Sequence, residues 1–131
     1  MKNLIAALLI SAVASNTCEW QNLSFKIYSD GNCKHLNKWQ TKNQGHVRED
    51  TAYLFEGGVC HQVKNPDGKP LPLWIRMQCN SHGFHEGVFK DAGCHTPYVD
   101  EYIGEASFSL PWDKCKSMYG QGFIAHTSQK F

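Results

Sequence analysis

Two cysteine pairs in this chain enclose the same interval and share their inner lettering. Cys18 to Cys33 reads CEWQNLSFKIYSDGNC, and Cys79 to Cys94 reads CNSHGFHEGVFKDAGC. Each block carries an Asp shortly before its closing cysteine, at Asp30 and Asp91. Each also carries an aliphatic–aromatic pair, Ile27-Tyr28 and Val88-Phe89, and Leu23 matches Phe84. A further cysteine follows each block, Cys60 and Cys115. A cross-linked unit written twice restricts the chain strongly, because matched apolar parity asks for matched strands. The expected organisation is two copies of one unit, about 18–78 and about 79–131.

The N-terminus reads as a targeting segment. Lys2 precedes the apolar run Leu4 to Ile10, and small residues follow through Ala12-Val13-Ala14-Ser15. That layout predicts a secretory signal peptide over 1–14 and leaves 15–131 as a single disulfide-rich β domain. The run is too short for a spanning helix, and no later segment is apolar enough to cross a bilayer. The chain has 13 Lys and Arg against 12 Asp and Glu, so setting Lys2 aside leaves the remainder neutral. Neutrality argues against nucleic acid or an anionic membrane surface as partner, since both reward a basic excess. Six cysteines behind a leader predict three disulfides and an extracellular or secretory-granule location. Each bridge is worth roughly 2–4 kcal/mol, largely by restricting the unfolded chain.

Apolar periodicity is two wherever it is clear. Leu71, Leu73, Ile75, Met77 and Cys79 share one parity, and Trp74, Arg76 and Gln78 take the other. Ala106 to Trp112 and Leu23 to Tyr28 alternate in the same way. Turn chemistry at Asp30-Gly31-Asn32, Glu56-Gly57-Gly58, Asn65-Pro66-Asp67-Gly68 and Asn80-Ser81-His82-Gly83 punctuates the runs. The expected strands are about 20–29, 51–56 and 71–79 in the first unit, and about 84–90, 105–111 and 122–127 in the second. The segment from Lys34 to Asp50 offers one short helical turn or a loop. The expected fold is all-β: a small disulfide-rich sandwich or partly open barrel built from two pseudo-twofold-related three-strand units.

Six cysteines leave many connectivities open. Cys79 lies beside the turn into the next strand and Cys94 lies past that strand's far end. A hairpin would hold them beyond the roughly 7 Å Cα separation a disulfide tolerates. The expected set is therefore Cys33–Cys60 and Cys94–Cys115 within the units, with Cys18–Cys79 between them. The rival is Cys18–Cys33, Cys79–Cys94 and Cys60–Cys115.

The two copies disagree in chemistry at one place. Glu86 occupies the position of Phe25, on the parity that points inward, with His82 and His85 close by in sequence. A carboxyl on an apolar face has a raised pKa, which suits a general acid, and two imidazoles beside it would suggest a metal site. Gly87 also allows a bulge that would turn Glu86 to water. No HExxH, CxxC or GxSxG pattern accompanies this trio, so no metal or other cofactor is expected. Trp112 continues an inward parity, whereas Trp20 and Trp74 fall on the outward one and are candidates for a platform that stacks sugars or docks a protein. Asn22-Leu23-Ser24 is a glycosylation sequon at Asn22.

The string Tyr28-Ser29-Asp30-Gly31-Asn32-Cys33 and its echo Phe89-Lys90-Asp91-Ala92-Gly93-Cys94 resemble a pattern in small secreted Cys-rich β-proteins of protists. The resemblance covers the two cysteine blocks and implies a secreted, disulfide-held β-fold with no particular activity. The leading expectation is a secreted, non-enzymatic binding or structural module with an extracellular protein or glycan as partner. The alternatives are a small hydrolase using Glu86, His82 and His85, or an inhibitor or toxin presenting the loop Val63 to Leu71.

Overall fold

The computed structural model describes residues 17–131; the expected leader over 1–14 lies outside the described residues. Alternation extends Leu23–Tyr28 as strand β1, with Leu23 and Ile27 buried and Lys26 exposed. Strands follow at His61–Lys64 (β2), Pro70–Asn80 (β3), Gly83–Phe89 (β4), Val99–Asp100 (β5), Gly104–Glu105 (β6), Phe108–Pro111 (β7), Cys115–Met118 (β8) and Gln121–Thr127 (β9). The chain is mainly strand, in antiparallel sheets ordered β1-β9-β8, β2-β3-β4-β7 and β5-β6. The one α-helix among the described residues, Lys38–Gln44 (α1), starts where the Asn37 side chain accepts a hydrogen bond from the Gln40 N–H. Among the described residues no helix is long and apolar enough to cross a membrane.

Two expected strands take other forms. The segment near 51–56 is part of a 3-10 stretch, Glu49–Gly58, kinked at Glu56 and Gly57, which buries Leu54 and Phe55. Adjacent buried side chains fit one face of a tight turn but cannot both face inward from a strand. The region 105–111 divides: Phe108–Pro111 joins β4, whereas Gly104–Glu105 closes a small hairpin with Val99–Asp100.

The doubled block yields a doubled loop. After β1 the Asp30 carboxylate accepts the backbone N–H groups of Lys34 and His35, and the Cys33 N–H donates to the Asp30 carbonyl. After β4 Asp91 accepts from His95 and Thr96, and the Cys94 N–H donates to the Asp91 carbonyl. Cys33 and Cys94 both adopt left-handed backbone, at φ 55° and 52°. Isolated bridges, Tyr28 with Leu36 and Phe89 with Pro97, close the two loops alike. Beyond them the copies diverge, into α1 after the first and into the β5–β6 hairpin after the second.

The bonds formed are Cys18–Cys79, Cys33–Cys115 and Cys60–Cys94. The expected Cys33–Cys60 and Cys94–Cys115 pairings are thus corrected. The β3–β4 hairpin does separate Cys79 from Cys94, since Cys79 faces Phe84 beside the turn. The error lay in closing each unit on itself. β1 is hydrogen-bonded to the β8–β9 hairpin of the second unit, and β4 to the β2–β3 hairpin of the first. Cys115 opens β8 and so meets the loop after β1; Cys60 immediately precedes β2 and meets the loop after β4. Exchanging the two units still turns one of these bonds into the other.

The core draws on β1 and β9 of one sheet, on β3, β4 and β7 of another, and on the 3-10 stretch. Leu23, Leu110 and Cys79 are its largest fully buried side chains, and Ala125 is fully buried beside them. Phe84 stands among Phe25, Phe55 and Phe108, with ring centroids 5.7, 6.3 and 6.1 Å away.

Candidate functional site

Strand register decides where Glu86 points. β3 and β4 pair without interruption from Trp74 opposite Phe89 to Asn80 opposite Gly83, so Gly87 forms no bulge. Gly87 instead makes room for an aromatic ring, since a Cβ there would lie 2.5 Å from a ring carbon of Phe89. Glu86 therefore shares its face with Phe84 and Val88, both buried, and lies between Met77 of β3 and Phe108 of β7.

That face borders a cleft of about 340 Å³. Phe25 and Ile27 of β1, Met118 of β8 and Phe123 of β9 line it from one sheet, and Phe84, Phe108 and Leu110 line it from the other. Tyr119 stands exposed at its mouth. A second depression, of about 370 Å³, shares Phe25, Gln44, Phe55 and Glu86 with the first and is bordered by His46, Val47, Arg48 and Thr51. Glu86 sits where the two meet. Burial raises its pKa from the ordinary 4.5 to about 7, with no hydrogen bond or opposite charge among the described residues to offset it. At neutral pH this carboxyl is poised between a protonated donor and an anion in apolar surroundings.

The histidines that neighbour it in sequence are elsewhere in space. His85 alternates to the opposite face of β4, where its Nδ1 lies 2.6 Å from Ser109 Oγ across the strand pair. His82 is exposed in the β3–β4 turn, where its backbone N–H donates to Asn80 Oδ1. The trio does not converge. Among the described residues no three His, Cys, Asp or Glu side chains gather as a metal-binding group.

The tryptophan pair is not an exposed one. Trp20 lies in a 3-10 turn, Trp20–Asn22, half-buried against the core. Trp74 is half-buried on the outward face of β3, opposite Gln62 and Phe89. Trp112 packs on the core and donates its indole N–H to the Asn80 carbonyl. Trp39 of α1 is the strongly exposed indole, at 67%. Asn22 ends the first 3-10 turn and is exposed, immediately before β1 rather than within it. The tip of the Val63–Leu71 loop is a turn in which Asn65 Oδ1 accepts the Lys69 N–H and Gly68 takes φ 84°.

Sequence reasoning identified Glu86 but not the cleft walls. Phe25 and Phe108 read as ordinary inward apolar positions, Phe123 only as part of an expected strand, and Met118 carried no signal of its own. Parity reveals which side chains face inward, not whether opposing faces fill the space between them. In comparisons with known proteins, no protein-family model, curated protein or solved structure matches this chain.

Proposed function

We propose that this chain is a secreted, non-enzymatic binding module whose ligand site is the cleft between its two main sheets, around Glu86. The observation that carries the proposal is the cleft itself: a cavity of about 340 Å³ walled by apolar side chains from both sheets, with one carboxyl at its inner face. Small-molecule sites have this character, mostly apolar with a few convergent polar groups. The ligand is accordingly a small molecule with an apolar body rather than the extracellular protein or glycan anticipated from Trp20 and Trp74, both of which are half-buried. A His/Glu hydrolase would need Glu86, His82 and His85 to converge, whereas His85 has the opposite strand parity and His82 is exposed in the turn before β4.

Three disulfides in one small domain, together with the leader-like 1–14 segment, support an extracellular or secretory-granule location. The proposal includes a two-unit sandwich with a pseudo-twofold relation. Its support is the correspondence of strand order β1-β9-β8 with β4-β3-β2 and the matched Asp–Cys loops.

An uncharged, solvent-sensitive naphthalene dye tests the cleft. The oxidised protein should bind it saturably with a blue-shifted emission. Met118→Arg, which places a charge on the half-buried wall near the mouth, should abolish binding while far-UV circular dichroism is retained. Absence of saturable binding, or equal binding by the variant, would overturn the proposal.

A further inference from the structure

The chemistry of the cleft narrows its ligand further. Phenylalanine rings supply much of the walls, and the half-buried Glu86 carboxyl enters their face from the middle of a strand. The carboxyl has neither a hydrogen-bond partner nor a counter-charge among the described residues. Desolvated charge without a partner is costly, and such a site gains most from a ligand that brings the missing cation with it. A wholly apolar ligand would seal the carboxyl away from water still unpaired. An anionic ligand would add a second negative charge. Charge complementarity therefore favours one occupant.

We infer that the cleft takes a small cationic amphiphile, with a protonated amine on Glu86 and an apolar body among Phe25, Phe84, Phe108 and Phe123. This inference rests on the cleft being a ligand site.

Charged groups on the surrounding elements do not fill the cation's role. Arg76 lies opposite Gly87 on β3 and has the opposite parity to Glu86's neighbours, with its guanidinium 5.4 Å from the Phe89 ring centroid. Lys26 of β1 is exposed and likewise of opposite parity to Phe25. Lys116 of β8 borders the separate depression beside His85 and Ser109. From the α1 side, His46 and Arg48 border the second depression, and Arg48 is held to Asp50 by hydrogen bonds of 3.1 Å. Tyr119 is the remaining titratable group on the cleft, at its mouth.

The ionised carboxylate is the form that pairs with an amine, so binding of the cation expels the proton. Affinity should rise with pH up to about 7 and then level off. Below that point it should fall about tenfold for each pH unit.

Octylamine, 1-octanol and octanoate share one apolar chain and differ in head-group charge, so their competition against the uncharged dye isolates the carboxyl. At pH 8 octylamine should displace the dye at a concentration about tenfold or more below that of octanol, and octanoate should be the weakest. The amine's advantage should contract toward unity at pH 5, and Glu86→Gln should remove most of it at pH 8. Equal competition by amine and alcohol at pH 8, stronger competition by octanoate, or an amine preference untouched by Glu86→Gln would overturn the inference and leave the cleft as an apolar site. Failure of all three to displace the dye, or failure of the dye to bind, would instead remove the cleft reading beneath it. If Glu86→Gln does not fold, the pH dependence in the unaltered protein decides: an amine preference unchanged between pH 5 and pH 8 overturns the inference.

Discussion

Replacing Glu86 by Gln should make this protein more stable at pH 8 and leave it nearly unchanged at pH 4. In the unfolded chain the carboxyl titrates near 4.5, and in the folded chain burial raises that to about 7. Below pH 4.5 both forms hold the proton and the residue costs nothing by titration. Between the two values the unfolded chain has released its proton while the folded chain retains it, so stability falls as pH rises, by about 1.4 kcal/mol per pH unit. Above about 7 the loss is complete at about 3 kcal/mol. Glutamine keeps the shape but does not titrate, so the difference between the two proteins isolates this residue from the histidines. Urea unfolding with the disulfides intact provides the assay. At an m-value of about 1–2 kcal/mol/M, the pH 8 midpoint of Glu86→Gln should lie roughly 1.5–3 M above that of the parent. Stability–pH curves that run parallel for the two proteins, or a Glu86→Gln protein weakened at pH 8, would refute a desolvated carboxyl in the cleft.

Graded reduction should open Cys33–Cys115 first, because Cys115 is exposed, and Cys18–Cys79 last, because both its cysteines are buried; peptide mapping of trapped thiols reads the order. Backbone hydrogen bonds hold the pKa of Asp30 and Asp91 below the usual 3.8, so each stabilises the fold above that value and loses its contribution as pH falls through the lowered one. Asp30→Asn and Asp91→Asn should therefore weaken the protein at neutral pH and flatten the acid limb of its stability curve. Unchanged acid midpoints in both variants would count against the doubled loop. Gly83→Ala would drive a Cβ into the Leu110 carbonyl and to 2.9 Å from Pro111 Cα, loosening the β4–β7 pairing. A cost of about 1–3 kcal/mol should appear as a lowered melting temperature, and an unchanged melt would argue against that close approach.

Alternation made several strands legible, because each has one wet and one buried face. Leu23, Phe25 and Ile27 point β1 inward, and Met77 and Cys79 do the same for β3. The same parity puts Glu86 on the inward face of β4. Tyr53-Leu54-Phe55 misled, since a short apolar run satisfies a strand or a buried turn equally well in one dimension. β2, reading His61-Gln62-Val63-Lys64, carried too little apolar signal to be recognised, and it gains its place as the partner of β3 at an edge of its sheet. Phe25, Ile27, Phe108 and Leu110 were legible as inward positions, but Met118 was not, and none of them was legible as the wall of a cleft.

The cysteine blocks by themselves determined that this protein contains one loop twice, each with an Asp that gathers backbone N–H groups and a cysteine that ends it. Those hydrogen bonds join residues a few positions apart, so the local sequence is enough to specify them. Tertiary structure alone decided that the hairpins cross between units, which takes Cys33 to Cys115 over a separation of 82 residues and Cys94 back to Cys60. It also decided that the inward carboxyl of Glu86 meets a cleft instead of a packed core. Both outcomes depend on which strands become neighbours and how far their faces stand apart, and strand parity carries no information about either.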